Sequence, residues 1–124
     1  MYYRNKAHQK RFEKLMSENS CRCSGEYLAG VYLLTSDEQL WKAVKYLLEE
    51  KVIDFSKIYV RDFTTNSYTI FTVAKDIYSG ETHITLQDIC DEYIVHEKLF
   101  NLFITALYIC RFGYTYIGIE KVFN

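Results

Sequence analysis

Four kinds of side chain in this sequence could carry chemistry: neighbouring cysteines, histidines, clustered carboxylates and clustered cations. Cys21-Arg22-Cys23 sets two thiols around a guanidinium, a pair that could hold a metal or react as a nucleophile. A structural zinc site needs four Cys or His ligands, commonly in CxxC or HxxxH pairs. The histidines here, His8, His83 and His96, are not spaced as a pair. Nucleophilic catalysis wants a base within hydrogen-bond reach of the thiol and a third group to orient it. His8 with Cys21 or Cys23, oriented by Asn5, has the right residue types. The plainer reading is two thiols in a polar loop and a histidine packed beside Phe12. There is no phosphate-cradling glycine loop, no GxSxG and no HExxH. The expectation is a non-enzyme with no catalytic residue, no metal site and no cofactor.

The cations gather at the start. Met1 to Ser24 holds six Lys or Arg against two Glu, among them Arg4, Lys6, Lys10, Arg11 and Lys14, with Tyr2 and Tyr3 alongside. Clustered cations contact phosphates and aromatic rings stack on exposed bases, so this arm is a candidate nucleic-acid surface. The same pattern is also the solvated face of an amphipathic helix. The carboxylates gather later. Glu81, Asp88, Asp91, Glu92 and Glu97 lie in a stretch without Lys or Arg. Such a surface could mimic phosphate and occupy a basic channel on a protein partner, or serve ordinary solvation and capping. Asp88, Asp91 and Glu92 lack the Asp-x-Asp-x-Asp-Gly loop and terminal Glu of a calcium hand. Twelve tyrosines complete the inventory. A buried tyrosine needs a partner for its hydroxyl, and tyrosine is enriched at protein interfaces. Tyr2, Tyr3, Tyr27, Tyr46, Tyr59, Tyr68, Tyr93, Tyr114 and Tyr116 are therefore candidates for a partly exposed set.

The elements that must hold these groups read as helices. Asn5 is a plausible N-cap for Lys6 to about Glu18, with Phe12, Leu15 and Met16 on one face. A loop follows to Gly25, then a helix from Glu26 to about Leu34, in which Gly30 suits a close helix crossing. Ser36 and Gln39 form a capping-box pattern before a helix reaching about Glu50. Lys51 to Thr65 reads as a short helix or irregular connector, because no second strand is available to pair with it. Thr65-Asn66-Ser67 reads as a cap cluster before a helix over Tyr68 to Ser79, ended by Gly80. Thr85 caps a helix to about Tyr93. His96 to Phe112 is apolar nearly all round, the pattern of a helix buried on several sides. Gly113 ends it, and Tyr114 to Asn124 reads as an extended arm or short helix. Cys90 and Cys110 are expected to be reduced core thiols.

At 124 residues the chain is one domain by prior, and nearly half its residues are apolar. Proline is absent, so no proline-rich linker divides it. A net charge of −1 gives no global field toward DNA or an acidic membrane. MYYRNKAHQK lacks the apolar run of a signal peptide, and no segment spans a bilayer convincingly. A cytoplasmic protein is the expectation, with no membrane partner.

Three stretches carry a resemblance: Asn5-Lys6-x-His8-x-x-Arg11-Phe12, Tyr32-Leu33-Leu34-Thr35 ahead of Asp37, and Ala74-x-x-Ile77-Tyr78-Ser79-Gly80 followed by Leu99-Phe100-x-Leu102-Phe103-x-x-Ala106-Leu107. In this order the chain resembles a small family of uncharacterised proteins, a domain of unknown function, from Gram-positive bacteria and their phages or mobile elements. Where that family usually carries a tryptophan and a threonine-serine cap, Phe63 and Thr64 to Ser67 stand here. The resemblance implies an accessory protein and no catalytic residue. Together these readings predict an all-α single domain of five or six helices around the helix at about 96–112. The expected function is protein binding through Glu81, Asp88, Asp91, Glu92 and Glu97, aimed at a host or defence protein. The alternative is nucleic-acid binding through Arg4, Lys6, Lys10, Arg11 and Lys14. Self-association is also open, though no heptad run sets its geometry.

Overall fold

GEYLAGVYLL carries one charge in ten residues, and in the computed structural model these residues, Gly25–Leu34, form a helix in which every residue from Tyr27 to Leu34 is buried. The structure describes residues 1–119 and 123. Seven α-helices and one 3-10 turn are found among them: α1 (Lys6–Glu18), α2 (Gly25–Leu34), α3 (Glu38–Val44), the turn Phe55–Lys57, α4 (Thr65–Ser79), α5 (Leu86–Cys90), α6 (Glu97–Phe112) and α7 (Tyr114–Ile117). The fold is all-α, a single domain, with no strand among the described residues.

Helix α2 is the centre, and α4 and α6 are the two helices packed most extensively against it. Its approach to α6 is set by Gly25, where a Cβ would stand 2.0 Å from the Cys110 carbonyl oxygen. Gly30, expected at a helix crossing, faces Tyr78 of α4, 3.9 Å from where its Cβ would lie, and also the tip of Ile53 at 2.8 Å. Ile53 and Phe55 are buried beneath this side. The Ile53 N–H donates to the Tyr78 hydroxyl at 3.1 Å, and the Phe55 ring packs against Phe71 and Tyr78.

Local chemistry explains the other departures from expectation. The cap of α3 is Asp37, whose carboxylate accepts the Leu40 N–H at 3.1 Å. Ser36 instead donates its hydroxyl to the Leu33 carbonyl at the end of α2. Helix α3 stops at Val44 rather than near Glu50, because Leu47 bonds back to Val44 and the chain reverses through Lys51 at φ 69°. That reversal delivers Ile53 and Phe55 to the core. Thr64 caps α4 through the Ser67 N–H, so the helix opens at Thr65, earlier than Tyr68. Gly80 closes it in the left-handed region at φ 74°, as its sequence position suggests. Helix α5 ends at Cys90, short of Tyr93, and buries no residue. Cys90 is accordingly exposed, not a core thiol, while Cys110 is half-buried.

Helix α6 is not buried on all sides. Leu99, Leu102, Phe103, Thr105, Ala106 and Ile109 face the core, but Phe100, Leu107, Tyr108 and Phe112 are exposed. Of the tail, α7 is helical, and residues 120–122 and 124, expected as part of an extended arm, lie outside the described residues. No helix among the described residues is long and apolar enough to cross a membrane.

Candidate functional site

His8 settles inside the molecule rather than at a reactive surface. Asn5 caps α1 by accepting the His8 N–H at 2.8 Å, and the ring is fully buried. Its Nδ1 accepts the Arg4 N–H at 3.1 Å, and its Nε2 lies 2.8 Å from the Tyr32 carbonyl oxygen. A backbone N–H can only donate and a carbonyl can only accept, so the tautomer is the Nε2–H form and both nitrogens are used. Burial holds its pKa down at about 4, against a smaller upward pull from the Tyr32 carbonyl. The rings of Tyr3 and Tyr32 pack on it at 5.2 and 4.7 Å. Cys23 is buried elsewhere, with its N–H donating to the Tyr114 hydroxyl at 3.1 Å and its thiol beside Asn19. The structure therefore does not assemble His8 and the thiols into a triad, and no group of three metal-ligating side chains occurs among the described residues.

The N-terminal cations divide into two sets. Arg4 pairs with Asp37 at 3.0 Å. Arg11 pairs with Glu38, donates to the Thr35 carbonyl and lies 5.8 Å over Trp41. Arg4, just ahead of α1, and Arg11 within it tie this end of the chain to the start of α3. Tyr2 and Tyr3 are half-buried, Tyr3 against the rings of Phe12 and Tyr32, and the Tyr32 hydroxyl donates to the Tyr2 carbonyl at 2.7 Å. Lys6, Lys10 and Lys14 remain exposed along one stripe of α1. Lys10 and Lys14 border a groove of about 420 Å³ whose other wall is Trp41, Lys45 and Tyr46 from α3 and the turn after it. Tyr46 is 87 % exposed, with the Lys45 ammonium 5.0 Å over its ring. Tyr46 is among the tyrosines expected at the surface, but Trp41 and Lys45 are absent from the sequence-based candidates, since only the tertiary structure brings them beside Lys10 and Lys14.

The acidic stretch forms a strap between α4 and α6. Residues 79–98 send only Val95 fully into the core. The strap is pinned by Asp76 of α4, which accepts the His83 and Ile84 N–H groups at 2.6 and 2.8 Å and contacts the His83 ring at 2.7 Å. Partial burial alone would raise the Asp76 pKa, but these hydrogen bonds outweigh it and hold it below the ordinary carboxylate range. Asp76 is a structural anchor of the strap that is absent from the sequence-based candidates. The five predicted carboxylates have unequal duties. Asp88 closes a capping box with Thr85, Asp91 accepts the Tyr93 N–H at 2.9 Å, and Glu81 lies 3.3 Å from His83. Glu92 and Glu97 are exposed and make no ion pair among the described residues. Beside these charges stand Leu86, 79 % exposed, and Tyr93, 93 % exposed. Beneath the strap, Ile77, Ile84, Leu86, Ile89, Phe103 and Leu107 line most of a groove of about 270 Å³.

Of the other tyrosines expected near the surface, Tyr59 and Tyr68 are exposed, whereas Tyr27 and Tyr114 are core residues and Tyr116 is half-buried. The Tyr27 hydroxyl donates to the Glu49 carbonyl at 2.8 Å, which is why that ring can be buried. The chain matches no family model, no curated protein and no solved structure.

Proposed function

We propose that this chain is a non-enzymatic protein-binding module that receives a basic, partly apolar segment of another protein on the strap at 79–98. One observation carries the reading: the strap holds Leu86 and Tyr93 almost wholly in water among carboxylates with no Lys or Arg between them. An apolar anchor ringed by polar groups is the arrangement of a protein interface, and Leu86 and Tyr93 among these carboxylates have that composition. Glu81 and Glu92 would steer a cationic segment, and Tyr93 and Leu86 would anchor it. The resemblance implies a phage or mobile-element accessory, and the partner in this reading is a host or defence protein.

The test is a tagged pull-down from native-host lysate, split into nuclease-treated and untreated halves, with wild-type chain and a Glu81→Lys/Glu92→Lys/Tyr93→Ala variant. One protein recovered stoichiometrically in both wild-type halves and lost with the variant supports the reading. Equal recovery by the variant overturns it. Asp88 and Asp91 are left intact because they hold the strap's own backbone.

A second reading rests on the groove between α1 and α3. Lys10, Lys14 and Lys45 beside Trp41 and Tyr46 suit a single-stranded nucleic acid, with phosphates on the ammoniums and a base on a ring. Binding of a fluorescent single-stranded oligonucleotide would then fall steeply with salt. A Lys10→Ala/Lys14→Ala/Lys45→Ala variant would flatten the log–log slope by about 2. A salt-independent signal would exclude it.

A further inference from the structure

The outward face of α6 is built to pair with itself. Among its exposed and half-buried positions, Glu97, Phe100, Ile104, Leu107 and Arg111 recur at alternating intervals of three and four residues. That is the spacing of a helix–helix seam, and it emerges only when the inward apolar residues of α6 are set aside. Phe100 is 38 % exposed and Leu107 44 %, with Tyr108 and Phe112 flanking them. Leu107 also borders the groove beneath the strap, and the rest of the stripe faces away from the core. Tyr108 stacks on Phe112 at 6.2 Å and on Tyr116 at 5.2 Å between ring centroids, so one border of the face is a row of aromatic rings.

The charges at the two ends are opposite, acidic Glu97 at the start of α6 and basic Arg111 at its finish. Neither forms an ion pair among the described residues. Ile104 lies midway between them in sequence. We propose that a second copy of this chain docks here, α6 against α6 and antiparallel, about a two-fold axis beside Ile104. Antiparallel pairing brings Glu97 of each copy opposite Arg111 of the other, roughly 21 Å apart along the seam at 1.5 Å per residue. Phe100, Ile104, Leu107 and Tyr108 fill the space between the two ion pairs. A two-fold contact of this kind is closed, so assembly stops at the dimer. A parallel pairing would set Glu97 against Glu97 and is disfavoured by its own charges. Glu97 thereby passes from the acidic strap to the dimer seam, while Glu81, Glu92 and Tyr93 stay outside it.

Charge exchange tests this directly. Wild type, Glu97→Lys, Arg111→Glu and the double Glu97→Lys/Arg111→Glu variant are compared by sedimentation from about 1 µM to about 1 mM, a range that covers ordinary weak-dimer affinities. Wild type should pass from 14.8 kDa to twice that mass as concentration rises. Each single reversal turns both ion pairs of the dimer into like-charge contacts and should weaken association at least about tenfold. The double variant restores opposite charges across the axis and should recover association. Both sites are exposed, and thermal melts check that each variant folds. A wild-type chain that stays monomeric throughout overturns the proposal and leaves the face to a different protein. A dimer indifferent to the single reversals, or not restored by the double one, overturns it as well. The partner test on the strap uses none of these residues, so the two proposals fail separately.

Discussion

His8 shows the plainer reading of a residue prevailing over the reactive one, since it is packed and fully buried. A histidine near two thiols invites a catalytic reading, but here it is a neutral spacer whose two nitrogens tie the N-terminal arm to α2. Its stability effect has a definite sign. The folded pKa of about 4 lies below the ordinary value of 6.5, so between those pH values the unfolded chain binds a proton that the folded chain rejects. Stability therefore falls as pH drops from about 6.5 to about 4, by on the order of 3 kcal/mol from this group. Protonation would place a proton on Nδ1, facing the Arg4 N–H donor. Urea denaturation at pH 7, 5.5 and 4.5 should show the loss. In a His8→Gln variant the slope across that window should shrink even if the whole curve lies lower. An unchanged slope would mean that another group sets the acid limit.

At the scale of elements, two contacts decide where helices and strap lie. Gly25 lets the start of α2 rest on the α6 backbone, where a methyl group would overlap the Cys110 carbonyl. Because that neighbour is main chain, it cannot swing aside, and Gly25→Ala should cost about 2 kcal/mol or more. Gly80→Ala meets no atom within 4 Å, so it should cost only the left-handed backbone penalty, about 1 kcal/mol. Chemical denaturation of both variants separates steric overlap from backbone conformation. Asp76 is the corresponding anchor of the strap. Removing its acceptors in Asp76→Ala leaves the His83 and Ile84 N–H groups without their partner. Amide exchange over 80–90 should then quicken much more than exchange within α2. Protection unchanged over 80–90 would mean that Val95 and the ends of the strap hold it alone.

For the whole molecule, the question is which helix the core is built on. Leu33 of α2 and Leu102 of α6 are fully buried, and Leu107 on the outer face of α6 is not. Leu33→Ala and Leu102→Ala should each cost about 3 kcal/mol, whereas Leu107→Ala should cost under about 1 kcal/mol in the isolated chain. If α6 pairs across a two-fold axis, the Leu107→Ala loss should grow with protein concentration, because association stabilises the folded state by mass action. A Leu107→Ala cost as large as that of Leu102→Ala at micromolar concentration would contradict the exposed outer face.

By itself the sequence determined the all-α class, most helix positions and several caps, because those depend on apolar spacing and on short-range bonds such as Asn5 to His8 and Thr85 to Asp88. It also marked the basic and acidic runs, since charge is read without coordinates. The tertiary structure alone decided which face of each element meets water. An apolar residue in α6 looks the same in sequence whether it touches α2 or solvent, so Phe100 and Leu107 read as core beside Leu102 and Phe103. Contacts between distant segments were equally invisible. The Arg4–Asp37 and Arg11–Glu38 pairs withdraw two expected phosphate ligands, and the fold brings Lys45 and Tyr46 to the lysines that remain. Burial is a property of the assembled chain, because it depends on what the rest of the molecule places opposite each side chain.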